Sequence, residues 1–96
     1  MAYVYPTAWF GDRLVPTAAA SLSITSAAVL YGLSVYTVLP VTISPAGAAG
    51  AFRLSDHYRR LVNSARIIGI DTFEPVWDEQ RFCAAVRDAI VANGIA

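Results

Sequence analysis

The sequence predicts an α+β fold in which two helices pack on one side of an antiparallel sheet. Three observations carry this prediction. Short segments rich in β-branched and aromatic residues occupy the first half of the chain, turn residues separate them, and two amphipathic patterns of helical period occupy the second half. The chain has 96 residues, so we expect a single domain over residues 1–96.

The first half of the chain contains the predicted strands. Gly11 and Asp12 supply the turn of a hairpin, and Gly32 ends a short helical turn that begins near Ser26. Pro40 removes a backbone donor and predicts a sheet edge or a strand end. The strand predictions, with a loop over Ser44–Gly50 before the last of them, are Trp9–Pro16 (the hairpin), Ser21–Thr25, Val35–Leu39 with a continuation over Val41–Ile43, and Ala51–Leu54.

The second half contains two predicted helices joined by a connector over Asp71–Trp77 that contains Pro75. The first runs over Ser55–Gly69, with Ser55 as its N-cap. The second begins after Asp78 as N-cap and ends at Asn93-Gly94. The apolar stripes predicted to be buried are Leu54, Tyr58, Leu61, Val62, Ala65 and Ile68 on the first helix, and Phe82, Cys83, Val86, Ala89 and Ile90 on the second.

The charge composition excludes several classes of protein. Seven arginines balance seven acidic residues, and the chain has no lysine. Without a net positive field we expect no nucleic-acid partner, and the 56% hydrophobic content argues against disorder. The single cysteine, Cys83, excludes an intrachain disulfide framework and fits a reducing compartment, so we expect a cytoplasmic protein.

No charged residue occurs from Leu14 to Phe52, which raises the question of a membrane span. The most apolar window, Thr17–Leu39, contains seven serines and threonines and is interrupted by Gly32. No cluster of basic residues flanks it to set an orientation. We therefore expect a soluble core with no membrane partner, and a small membrane-associated protein is the weaker alternative.

Few side chains suggest chemistry on their own. His57 is the only histidine and has no partner at ligand spacing, so we expect it to bond a nearby backbone group and expect no metal site. Arg59 and Arg60 lie early in the predicted helix. Arginine binds phosphate through paired hydrogen bonds and the helix N-terminal region attracts anions, although a solvated helix face is the commoner explanation. Arg60 flanks the apolar stripe at Leu61 and is the better candidate to border a cleft.

Two stretches, Leu30–Tyr36 and Phe52–Ala65, resemble a known family. The second contains Phe-Arg-Leu, then His, Arg-Leu and Ser-Ala in the spacing of the amino-terminal domain of class IV (fold type IV) pyridoxal-phosphate aminotransferases. Branched-chain and D-amino-acid aminotransferases and aminodeoxychorismate lyases belong to that family. The resemblance extends from the first hairpin to Gly94 and implies the small domain of fold type IV enzymes.

The resemblance implies roles for four residues. Arg60 matches the arginine that binds the cofactor phosphate, Tyr31 a tyrosine beside the substrate pocket, and Tyr36 an aromatic residue that lines it. His57 matches a residue of mainly structural role. The departures from the family pattern are Thr37 and Val38 in place of Glu and often Gly, Pro40 where the branched-chain group often has Arg, and the absence of a histidine before Tyr31.

The family's cofactor-binding lysine, and the acid that pairs with the pyridine nitrogen, belong to a second domain. This chain has no lysine, and arginine cannot replace one because it stays protonated. We therefore expect no catalytic residue in the chain and no activity from it alone. The complete enzyme would use pyridoxal 5'-phosphate to transfer an amino group between a branched-chain-like amino acid and a 2-oxo acid. It would be a homodimer, or it would combine with a second chain that carries the large domain.

A second hypothesis treats the chain as a non-catalytic module. In that case a diverged or truncated relative keeps the fold and a dimer surface, and an exposed apolar face serves as its interface. Thr37, Val38 and Pro40 favour divergence, whereas Arg60 and Tyr31 favour an enzyme.

Overall fold

The computed structural model describes residues 4–51 and 53–95 and has the element order of an α+β fold. This confirms the predicted class. A turn of 3-10 helix, Thr17–Ala19, follows the first hairpin. The strands and α-helices are β1 Thr7–Phe10, β2 Arg13–Pro16, α1 Ala27–Leu30, β3 Val41–Ile43, β4 Ala49–Ala51, α2 Leu54–Ile67, α3 Phe73–Val76 and α4 Glu79–Ala92.

The four strands form two separate antiparallel ribbons. Strand β1 pairs with β2 from Thr7 opposite Pro16 to Phe10 opposite Arg13, so the hairpin with its Gly11-Asp12 turn is confirmed. Strand β3 pairs with β4. The prediction of one continuous sheet is therefore wrong for the described residues. Two predicted strands that lie between the ribbons in sequence do not form.

The segment Ser21–Thr25 is a coil and turn, so the strand predicted there is wrong. The Ser23 and Thr25 hydroxyl oxygens are 2.7 Å apart, and the Ser23 hydroxyl also accepts from the Thr25 backbone N–H. The Ser26 N–H then donates to the Ser23 carbonyl. Serine and threonine bond locally to the backbone in this way and compete with strand pairing. The short helix α1 follows, with the Ser26 hydroxyl accepting at its N-cap.

The strand predicted over Val35–Leu39 is also wrong, since these residues have no regular structure. Their burial still alternates: Val35, Thr37 and Leu39 are half-buried, whereas Tyr36 and Val38 are exposed. The predicted alternation of buried and exposed side chains is present, but no described strand pairs with the segment. A strand cannot be stable without a partner for its backbone groups.

Helix α2 begins one residue earlier than predicted. Its N-cap position is Arg53, which has a left-handed φ of 53° and no side-chain cap, so the prediction of Ser55 as N-cap is wrong. The preceding strand ends at Ala51 rather than reaching Leu54, and Phe52 lies outside the described residues. The helix ends at Ile67, and Gly69 follows it with a φ of 82°, a conformation that favours glycine.

Helix α4 begins as predicted. The Asp78 carboxylate accepts a hydrogen bond from the Arg81 backbone N–H at 2.8 Å, which satisfies a free donor of the first turn. The helix ends at Ala92, before Asn93 and Gly94. The preceding connector contains the single helical turn α3, which includes Pro75.

The core of the described residues lies between α2 and α4. Its buried side chains are Leu54, Tyr58, Val62, Ala65, Cys83 and Ala85. The α2 stripe is thus largely confirmed, although Ile68 is 40% exposed. On α4 the other predicted stripe residues are half-buried. The radius of gyration of 14.5 Å exceeds the value of about 13 Å expected for 100 residues, in keeping with so small a core.

Tyr58 is the centre of this core. Its ring centroid lies 5.4 Å from that of Phe82 on α4 and 6.1 Å from that of Phe73 on α3. Its hydroxyl donates to the Trp77 carbonyl at 2.7 Å. One side chain of α2 therefore contacts both later helices and the linker between them.

We predict that Tyr58→Phe destabilises the fold by about 1 kcal/mol near neutral pH, because the Trp77 carbonyl loses its donor while the ring contacts remain. Urea unfolding of the two proteins measures the difference. Tyr36→Phe is the matched control, since Tyr36 is 86% exposed and should change the stability little. Equal destabilisation by both substitutions would contradict the role given to the Tyr58 hydroxyl.

Burial raises the pKa of Tyr58 above its ordinary value of 10.0, and nearby Glu74, Asp78 and Glu79 act in the same direction. The folded protein therefore keeps the phenolic proton to a higher pH than the unfolded chain does. The resulting stabilisation is complete below pH 10.0 and is lost as the pH rises through the raised pKa. We predict that the stability gap between wild type and Tyr58→Phe narrows in alkaline unfolding measurements. A gap that widens there would refute this.

Candidate functional site

Arg60 lies in the second turn of α2, and it is exposed. The arginine at the N-cap and the other arginines of that helix form ion pairs: Arg53 and Arg59 both contact Asp56, at 2.8 and 3.0 Å, and Arg66 contacts Glu74 at 2.7 Å. Arg60 contacts no carboxylate among the described residues. Its guanidinium group is therefore open to an anion from outside the chain.

The remaining arginines also include some with a partner and one without a carboxylate partner. Arg13 pairs with Asp12 on the hairpin turn, and the guanidinium carbon of Arg81 lies 4.1 Å from the centroid of the Trp77 ring. Arg87 on α4 is exposed and, like Arg60, has no carboxylate partner in the described part of the chain. The sequence analysis did not identify Arg87 as a candidate. The sequence feature that indicates its lack of an ion-pair partner is the absence of an acidic residue three or four positions away on the same helix.

Tyr31 and Tyr36, the two predicted substrate-pocket residues, are both highly exposed. Tyr31 is 81% exposed at the end of α1, and Tyr36 is 86% exposed in the extended segment beyond it. Neither lines a described cleft, and neither does Arg60. The described residues therefore do not enclose a substrate pocket around the three predicted positions.

His57 connects the segment that carries Tyr36 to helix α2. Its Nδ1 lies 2.9 Å from the Thr37 hydroxyl in a partly buried contact. The partner is a side chain of a distant segment, so the expected bond to a nearby backbone group is wrong. Thr37 was noted in the sequence only as a departure from the family pattern. Its position on the half-buried side of an apolar segment was the signal that it has a polar partner.

Among the clefts that lie elsewhere on the described surface, two are lined largely by apolar residues. A cleft of about 530 Å³ lies between β4 and the end of α4. Its lining is apolar except for Arg87, and it is open because Ala49, Gly50 and Ala51 have small or no side chains. A shallower cleft of about 310 Å³ is lined by the aromatic rings of Trp9, Phe73, Trp77 and Phe82 together with small residues of α4.

Metal and membrane features are not observed in the part of the chain that the structure describes. No group of three or more His, Cys, Asp or Glu residues is arranged to hold a metal ion within residues 4–51 and 53–95. Cys83 is buried and unpaired there. None of the described helices has both the length and the apolar character needed to cross a bilayer.

Comparison with known proteins gives no assignment: no family model, no curated protein and no solved structure matches this chain.

The contact between Thr37 and His57 generates a prediction about stability. In a double-mutant cycle with Thr37→Val and His57→Ala, we expect a coupling energy of about 1 kcal/mol, as for a partly buried hydrogen bond. Urea unfolding of the four proteins measures it. Thr72→Val replaces Thr37→Val in the control cycle, because Thr72 is exposed and its side chain caps no helix. Equal coupling energies in the two cycles would show that Thr37 and His57 do not interact.

Proposed function

We propose that this chain is the small domain of a pyridoxal-phosphate-dependent class IV aminotransferase, in which Arg60 binds the cofactor phosphate. The reaction would transfer an amino group between a branched-chain-like amino acid and a 2-oxo acid. The observation that carries the proposal is the unpaired, exposed guanidinium group of Arg60 on a helix whose other arginines contact carboxylates.

The charge of the guanidinium supplies most of the attraction. Arg60 is the seventh residue of α2, and the field of a helix N-terminus fades beyond the first turn. The planar guanidinium, in contrast, matches phosphate with two parallel hydrogen bonds and remains charged at every physiological pH. The chain's own contribution is thus an anchor that fixes one end of the cofactor.

Pairing separates Arg60 from Arg59. The Arg59 guanidinium contacts the Asp56 carboxylate at 3.0 Å, and an anion would have to displace that contact. Arg60 has no such competitor among the described residues. Of these two adjacent exposed arginines, only the one that matches the family position is free.

The contact between Thr37 and His57 supports a shared location for the phosphate anchor and the substrate residues. It holds the residue after Tyr36 beside the first turn of α2, the helix that carries Arg60. Tyr36, and Tyr31 before it, would present their exposed rings to the substrate. A second domain would then cover these rings and exclude water from the site.

Pyridoxal phosphate supplies the electron sink that amino transfer requires, and the enzyme supplies an amine to bind it covalently. This chain contains no lysine, and an arginine guanidinium does not serve as that amine. The lysine would come from a second domain or a second chain. The residues of this chain would bind the phosphate and line the substrate side, and none would carry the proton between substrate and cofactor.

We predict that Arg60→Ala weakens pyridoxal-phosphate binding roughly 10- to 100-fold in the protein together with its lysine-bearing domain, because charged hydrogen bonds contribute about 1.5–3 kcal/mol. Equilibrium binding followed by cofactor absorbance measures the change. Arg59→Ala is the matched control, because it removes the same charge one residue away from an arginine that is already paired. Equal losses in both variants would indicate only a general charge effect.

We also predict that the 96-residue chain alone transfers no amino group when it is mixed with pyridoxal phosphate, an amino acid and a 2-oxo acid. The physical reason is the absence of lysine. Chromatographic detection of the new amino acid measures the reaction, with free pyridoxal phosphate as the background. Turnover above that background would refute the proposal that a second domain or chain must supply the lysine.

A non-catalytic interaction module is the second candidate. Its support is the exposure of large apolar side chains in the uncharged segment over residues 21–43, where Ile24 is 77% exposed and Val38 is 78% exposed. The two candidates differ in their need for Arg60. Self-association of the protein without binding of pyridoxal phosphate would favour the module.

A further inference from the structure

The side chain of Asn93 connects the end of α4 to strand β1. Its Oδ1 accepts a hydrogen bond from the Thr7 backbone N–H at 2.9 Å, and its Nδ2 donates to the Thr7 carbonyl at 2.8 Å. The same Nδ2 donates to the Ala89 carbonyl within the last turn of the helix, also at 2.8 Å. We call the two bonds between Thr7 and Asn93 the Thr7–Asn93 clasp. It joins residues 86 positions apart in the chain.

Asn93 is followed by Gly94, and this pair is chemically reactive. The backbone nitrogen of the following residue can attack the asparagine carboxamide carbon, and glycine hinders that attack least because it has no side chain. The folded structure restrains both reactants. The clasp fixes the carboxamide, and the Gly94 N–H donates to the Val91 carbonyl at 3.0 Å.

We propose that Asn93 is a site of spontaneous deamidation, and that opening of the Thr7–Asn93 clasp controls its rate. When the clasp opens, the Gly94 nitrogen forms a bond to Asn93 Cγ and the Cγ–Nδ2 bond breaks. The nitrogen loses its proton and Nδ2 leaves as ammonia. Water then opens the five-membered imide to give aspartate or isoaspartate at residue 93. The net reaction consumes one water and releases one ammonia, with no oxidation or reduction.

The product cannot rebuild the clasp. A carboxylate only accepts hydrogen bonds, so the Thr7 carbonyl loses the Asn93 Nδ2 donor and faces a negative charge instead. The Ala89 carbonyl also loses its bond from Nδ2 and keeps the one from the residue 93 backbone N–H. That charge also lies at the C-terminal end of α4, where the helix field disfavours an anion. Deamidation therefore releases the β1–β2 hairpin from α4 irreversibly.

The first experiment measures the rate of deamidation at Asn93. The protein is aged in mildly alkaline buffer, either folded or in concentrated urea, and its peptides are analysed by mass spectrometry. We expect conversion at Asn93 in urea and conversion roughly tenfold or more slower in the folded protein, since three hydrogen bonds hold the carboxamide. Asn63 is the internal control, because the chain's other asparagine precedes serine. Equal rates at Asn93 in the two states, or no conversion in urea, would overturn the proposal.

Hydrogen exchange of Asn93→Asp tests the release of the hairpin. We expect faster exchange at the β1 amides while the amides of α2 keep their protection. Asn63→Asp is the matched control, since it adds the same charge at an exposed position on α2. Unchanged exchange in β1, or an equal loss of protection in β1 and α2, would show that the clasp does not hold the hairpin independently.

Discussion

The contact of Tyr58 with the chain around Trp77 holds helix α2 in place, and the position of Arg60 depends on it. The ring packs against Phe73 and Phe82, and the hydroxyl donates to the Trp77 carbonyl. All the buried hydrophobic residues of the described chain lie on α2 and α4. The exposed face of α2, where Arg60 lies, is therefore presented by the most firmly packed part of the molecule.

The first half of the chain is held to this helical unit by fewer contacts. Asn93 bonds β1 at one point, Trp9 meets Trp77 in an edge-to-face contact at 6.4 Å, and Thr37 bonds His57. Between these points the uncharged segment has large exposed apolar side chains. Surface of this kind is expected where a second domain or another copy of the chain packs. Both the enzyme and the module hypotheses require such a partner.

The parts of the fold that sequence predicts well are those determined by local chemistry. The Gly11-Asp12 turn and the Asp78 cap depend on neighbouring residues and form as predicted, and the α2 stripe does so apart from Ile68. Val35–Leu39 has the alternation of a strand, but pairing needs a partner that periodicity does not supply. The Thr37–His57 contact joins residues 20 positions apart, and no local pattern encodes it. For the candidate site, residue types identify Arg60, whereas the pairing of Arg59 with Asp56 emerges only in three dimensions.

We propose that Arg60 binds the phosphate of pyridoxal phosphate. A crystal structure of the protein with bound pyridoxal phosphate would show where that phosphate lies. We expect phosphate oxygens about 2.7–2.9 Å from the Arg60 guanidinium, with the Arg59–Asp56 pair intact. A phosphate bound elsewhere, with the Arg60 side chain directed into solvent, would contradict the proposed role of Arg60.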